Sequence, residues 1–255
     1  MRRTIVRRTA VAASAVSLAL LVGACGSSDK PAADASSEGK EKGKESASAG
    51  KVLTKAELDK LMLVEGDLKD HKVTNASEAD LASVKAATTD KAECKPLLDA
   101  MTLQSGGKPA ATSVRKIMAM PAKPAENASP EEKAKAGLNA LGATITSDVL
   151  GSYEGKGAQE SLAKLSAAGK ACAGGFTMIV GSDKTKITKV APATFSGGDE
   201  AVAFTLTLDA DGTSAATHVV ASRKGSTLAT FFAMSLAGKA EQPKAVADAQ
   251  LGKLG

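Results

Sequence analysis

The sequence predicts an α+β fold: a single domain in which an antiparallel sheet packs against several helices. Three observations predict it. Helix signals, capping boxes followed by one-face apolar spacing, concentrate between residues 54 and 172. Segments rich in Thr, Val, Ile and Phe fill residues 176–233, where Val202, Phe204, Leu206 and Leu208 recur every second position, as one face of a half-buried strand requires. Turn pairs at Asp211-Gly212 and Lys224-Gly225 separate the last three of these segments, which makes them an antiparallel meander. Helices early and strands late place the chain in the α+β class.

The elements follow in order. Thr54-Lys55-Ala56-Glu57 is a capping box, with Leu58, Leu61 and Met62 behind it on one face, and Gly66 closes that neighbourhood. A strand is expected near His71 to Thr74. Asp90, with Glu93 three residues on, is placed to cap a second helix that carries Cys94, Leu97, Leu98 and Met101 at i, i+3, i+4 and i+7. Ser105-Gly106-Gly107 breaks it, and Thr112 to Met120 reads as a strand. Ser129-Pro130-Glu131-Glu132 opens a third helix with proline in its first turn. Ala143 to Tyr153 is a strand, and Gly157 to Ala171 returns to helical spacing through Ala158, Leu162 and Leu165, stopped by Gly174-Gly175. Strands then follow at Phe176 to Val180, Ile187 to Val190, Ala201 to Asp209, Thr217 to Arg223 and Thr227 to Ala233.

Residues 1–24 read as a lipoprotein signal peptide. Arg2, Arg3, Arg7 and Arg8 form its positive region, Ala10 to Val22 its apolar stretch, and Val22-Gly23-Ala24 precedes Cys25 as small residues precede a lipidated cysteine. The Cys25 thiol is expected to carry a diacylglyceryl thioether, with fatty acyl chains such as palmitate, and so to hold the protein on the extracytoplasmic face of the cell membrane. An ordinary secretory peptide leaving a free Cys25 thiol is the alternative, and Arg7-Arg8 keeps twin-arginine export open beside the general route. Residues 25–50 combine the lipidated cysteine with a tether of small and charged residues that cannot bury enough surface to offset its chain entropy. Residues 51–245 are the expected extracytoplasmic domain, and 246–255 a polar, loose tail.

Charge removes one class of partner. The chain has 33 basic residues against 28 acidic, but the four arginines leave with the signal peptide, so 29 basic residues balance 28 acidic ones. Nucleic acid is therefore not an expected partner. With five Phe, one Tyr and no Trp, the core must be aliphatic, and aromatic platforms for bases or sugars are not expected.

With Cys25 assigned to lipid, Cys94 and Cys172 remain, both on apolar helix faces of an exported chain, and a Cys94–Cys172 disulfide is expected; two separately buried thiols are the alternative. No metal site and no cofactor are expected, because His71 and His218 stand far apart with no H-x-H or C-x-x-C companion. No catalytic residues are assigned either: no G-x-S-x-G occurs, and the acidic pairs Glu131-Glu132 and Asp199-Glu200 are explained by capping and turns. Arg115 and Arg223, the mature chain's two arginines, could each clamp a carboxylate or phosphate, with Tyr153 a further contact candidate. The plainer expectation places the arginines as long cations at sheet edges, the histidines on surface strands and Tyr153 as a packing anchor.

Glu93-Cys94-Lys95-Pro96-Leu97 in a helix, a long Ala-rich helix into Ala171-Cys172, then Gly198-Asp199-Glu200-Ala201 and the Val219 to Thr227 hairpin occur in an order that resembles the extracellular sensor domain of PknH-type mycobacterial kinases and related actinobacterial lipoproteins. The resemblance spans roughly Thr54 to Ala233. It implies an antiparallel sheet flanked by helices, with a groove as the ligand site. This chain shows no second folded-domain disulfide, membrane span or kinase domain, so kinase signalling and a ligand are not carried over. The leading functional expectation is a lipid-anchored, sensor-like binding module without catalysis, whose partner is an envelope protein, lipid or small molecule. The alternative is a lipid or solute carrier, and third comes an envelope enzyme. An apolar lining of Leu, Val, Ile, Met and Ala is expected for any sizeable cleft.

Overall fold

The structure is a computed structural model that describes residues 50–121, 123–210, 212–237 and 239–255. Cys25, the signal peptide and the tether up to residue 49 lie outside the described residues. The elements run α1 (Lys55–Leu61), β1 (His71–Asn75), α2 (Glu78–Lys85), β2 (Thr88–Thr89), a 3-10 turn (Ala92–Cys94) leading into α3 (Lys95–Met101), β3 (Ala111–Ala119), α4 (Pro130–Leu141), β4 (Thr144–Ser152), α5 (Gly157–Ala171), β5 (Phe176–Val180), β6 (Asp183–Ala193), β7 (Glu200–Ala210), β8 (Thr213–Lys224), β9 (Thr227–Ser235) and α6 (Lys244–Leu254). All nine strands join one antiparallel sheet in the order β1-β3-β4-β9-β8-β7-β6-β5-β2. The fold is α+β, as the sequence predicts.

Strand alternation divides the core in two. Phe204 and Leu206 of β7, Val219 and Ala221 of β8, and Leu228 and Phe232 of β9 meet α3 and α5 on one sheet face. The α5 backbone lies so close there that a Cβ at Gly169 would overlap the Phe204 ring. Cys94 and Cys172 are bridged in this layer, with Cα atoms 5.9 Å apart, inside the range a disulfide permits. The odd-numbered residues of β3 and β9 face the other way, where Ile117 and Phe231 join Leu58, Met62, Leu63, Val246 and Leu251 from the α1 and α6 side. Capping boxes fix the starts of α1 (Thr54, Glu57), α2 (Ser77, Asp80) and α4 (Ser129, Glu132).

Several sequence expectations are corrected. The residues expected as a loose tail, 246–255, lie almost wholly in α6, which buries Val246, Ala247, Gln250 and Leu251, so the folded part continues past residue 245. The reason is local to the end of α1: the Leu63 N–H donates to Gln250 Oε1 at 3.0 Å, and Gln250 Nε2 donates to the Leu61 carbonyl at 2.8 Å. The buried glutamine thus satisfies backbone groups that α1 leaves orphaned. Asp90 caps no helix. Its carboxylate accepts the Thr177 N–H at 2.7 Å and its own N–H donates to the Thr177 carbonyl, so it covers the rim of β5, and α3 begins at Cys94 without a side-chain cap. Neither arginine stands at a sheet edge, since β3 and β8 are interior strands. His218 is half-buried on β8 rather than a surface residue. Its Nε2–H donates to the Ala240 carbonyl at 3.2 Å, Nδ1 accepts from the Thr205 hydroxyl at 3.2 Å, and burial lowers its pKa.

Candidate functional site

A cleft forms where β1 ends. The ladder between β1 and β3 closes at Asn75 opposite Arg115, because the chain turns at Ala76 into the Ser77 cap of α2. On its other side β3 stays paired with β4 as far as Ala111 opposite Ser152. Four residues, Ala111 to Val114, therefore have a strand neighbour on one side only. The space that β1 vacates is an open cleft of about 450 Å³, walled by Lys55 and Asp59 of α1 on one side and by Leu81 of α2 and Leu103 on the other. A second groove along Val52 to Lys55 and Ala110 to Thr112 continues it past the same rim.

Arg115 forms the floor of this cleft, its side chain only 15% exposed. Strand alternation turns it, with Ser113, toward α1. Its donors are loosely engaged: Nη1 donates to the Val114 carbonyl at 3.0 Å and to Ser113 Oγ at 3.4 Å, Nη2 reaches the Asp59 carbonyl at 3.5 Å, and the nearest carboxylate oxygen of Asp59 is 3.8 Å away. A planar guanidinium normally takes a carboxylate through two bonds below 3 Å. Here Asp59 is drawn elsewhere. Lys55 bonds it at 2.7 Å and the Ser113 hydroxyl donates to it, and these bonds hold its carboxyl below the usual range.

Behind Arg115 lies a residue that the sequence reading did not single out. Asp148 of β4 sits opposite Arg115 on one side and Phe231 of β9 on the other, fully buried, and among the described residues neither of its oxygens has a hydrogen-bond partner. Burial pushes its carboxyl well above the ordinary range, and the Arg115 charge opposes this only in part. Neither nearby carboxylate thus makes a short ion pair with the guanidinium: Asp59 lies 3.8 Å away, and among the described residues no hydrogen bond joins Arg115 to Asp148. The signal in the sequence was available: Asp148 is the only charged residue of β4.

The other candidates are placed elsewhere. Arg223 is occupied as a staple of the β8–β9 turn, pairing with Asp199 at 3.0 Å and Glu200 at 3.5 Å and donating to the Gly225 carbonyl. Tyr153 is a packing anchor. Its ring is buried and its hydroxyl donates to the Gly106 carbonyl at 2.5 Å beside Ser105, which pins the loop after α3. The His71 ring bonds the Lys69 carbonyl at 2.7 Å. The structure thus brings none of Arg115, Arg223 and Tyr153 together. The apolar lining expected for a cleft is also corrected, since Lys55, Asp59, Asn75, Thr112, Ser113 and Arg115 give this one a mixed and charged wall.

Fold and site together define an α+β module with a charged cleft at a partly unpaired strand rim. The chain is similar to the solved extracellular domain of PknH from Mycobacterium tuberculosis, with 11% identity, a TM-score of 0.49, and coverage of 80% of this chain and 97% of that one. The likeness is one of structure. No family model matches the sequence, and neither does any curated protein.

Proposed function

We propose that this chain is a lipid-anchored extracytoplasmic module that binds a partner at the Arg115 cleft and does not transform it. The observation that carries the reading is the half-satisfied, buried guanidinium at the floor of an open cleft. Such a group recognises an anionic ligand atom by replacing long contacts with short ones. The cleft's carboxylate supports binding over turnover, because Asp59 is held ionised by Lys55 and Ser113 and is a weak base. Open clefts of mixed lining, here and beside Phe195 and Gln242, favour a partner's surface over the closed apolar chamber of a lipid carrier. The disulfide suits an oxidising compartment.

Native mass spectrometry of the mature domain purified from its own host, wild type beside Arg115→Gln, tests the binding claim. The wild type is expected to retain a co-purifying species, and the folded variant to bind it about 10–100-fold more weakly, as loss of a charged hydrogen bond predicts. Equal retention by both proteins overturns the site. The anchor rests on Val22-Gly23-Ala24-Cys25 and is tested separately by detergent partitioning. Cys25→Ala is expected to move the protein from the detergent phase to the aqueous phase; a variant that stays with membrane, together with a wild-type N-terminal peptide that carries no added diacylglyceryl mass, removes the anchor from the reading.

A further inference from the structure

We propose that the cleft receives an extended peptide segment of its partner as an added strand on β3, with acidic and apolar residues alternating along it. This rests on the binding role of the Arg115 cleft and specifies the mode. The first support is backbone direction. In an antiparallel strand the N–H and C=O of one residue point to the same side, and alternate residues point to opposite sides. The Met120 N–H donates to the Asp70 carbonyl and the Thr74 hydroxyl donates to the Lys116 carbonyl, so the even-numbered residues of β3 address the β1 side. Thr112 and Val114 therefore aim their backbone groups to the β1 side: Val114 where the chain leaves β1 at Ala76, and Thr112 farther into the open cleft, where no backbone hydrogen bond of the described residues reaches it. The Val114 carbonyl instead accepts from the Arg115 guanidinium, in the place that a neighbouring strand's N–H would take.

The second support is the chemistry of the two walls. A strand laid along Ala111 to Val114, roughly 13 Å of extended chain, alternates its side chains between them. One set faces Arg115 and Lys55, where a carboxylate finds two cations against the single charge of Asp59; the other faces Leu81 and Leu103, which suit an apolar side chain. An incoming N–H that takes over the Val114 carbonyl also releases Arg115 Nη1 toward the carboxylate, so backbone pairing and charge recognition reinforce each other. This is the geometry of strand addition, in which backbone bonds supply affinity and alternate pockets supply selectivity.

Selection of a displayed random octapeptide library on the domain, followed by synthesis of the enriched peptide, decides the matter. Enrichment of alternating acidic and apolar residues is expected, with slowed amide exchange at Thr112 and Val114 on binding. At least tenfold weaker binding is expected for a peptide N-methylated at alternate positions in the register that bonds to β3. Thr112→Pro removes one outward donor at a rim where proline is tolerated, and is expected to weaken binding to a similar degree. The methylated peptide gives the answer even if that variant folds poorly. Binding that depends on Arg115 but is indifferent to N-methylation overturns strand addition while leaving the Arg115 cleft in place, as does binding of free carboxylates alone. Failure to enrich any peptide, or a dimer of the domain that the peptide does not disperse, also overturns it.

Discussion

The Cys94→Ala/Cys172→Ala double variant is expected to lose up to about 4.5 kcal/mol of stability, the entropy that a 78-residue closure removes from the unfolded chain. For a domain of this size that corresponds to a fall of up to roughly 9–18 °C in melting temperature. The bridge joins the start of α3 to the end of α5, both of which cover the same sheet face, so its loss also loosens the layer around Leu97, Leu165 and Val219. Thermal unfolding of the reduced, alkylated domain checks the result without substitution. A shift below about 2 °C, with both thiols shown to be modified, would mean that the unfolded chain is restrained by something other than the disulfide.

Asp148→Asn is expected to stabilise the domain by about 1–3 kcal/mol at pH 8, the scale of cost for a buried polar group whose charge is not compensated. The sign follows from linkage. Burial raises the folded-state pKa of Asp148 above its unfolded value of about 3.9, so the native state holds the extra proton between the two values. The stability tied to that proton is complete below about pH 4 and is lost as pH rises through the folded pKa. Arg115 faces Asp148 from β3, with Asp59 of α1 beyond it, while Phe231 of β9 and Thr146 and Leu150 on its own strand are neutral. The asparagine variant should therefore flatten the decline toward alkaline pH. Both proteins should keep the acid limb, because Asp59 and Asp67 have lowered pKa values and lose their contribution as pH falls. Chemical denaturation at pH 5 and pH 8 measures this. A variant less stable than wild type at pH 8 would show that Asp148 is ionised and paired with Arg115.

Short-range chemistry explains what the sequence by itself determined. The box of Thr54 and Glu57, the opening at Ser129-Pro130 and the alternation from Val202 to Leu208 each act within a few residues, and each appears where the sequence places it. The Cys94–Cys172 bridge was equally legible, because two helix faces that are apolar for the same reason pack in the same layer. α2 was missed because it buries none of its residues and its box uses Asp80 in place of the usual glutamate. α6 was missed in part because it is held by a polar residue: Gln250 is buried to serve backbone groups 187 and 189 residues away, and no window of sequence contains both ends of those bonds. The site follows the same logic. Arg115 could be singled out as a scarce cation, but the decisive facts were its place beside Asp148 and the end of β1 one residue short of Val114, and strand order set both. Local propensity wrote the elements; pairing between distant strands decided which backbone groups were left open and which charge was left uncompensated, because both are properties of neighbours that the chain supplies only after folding.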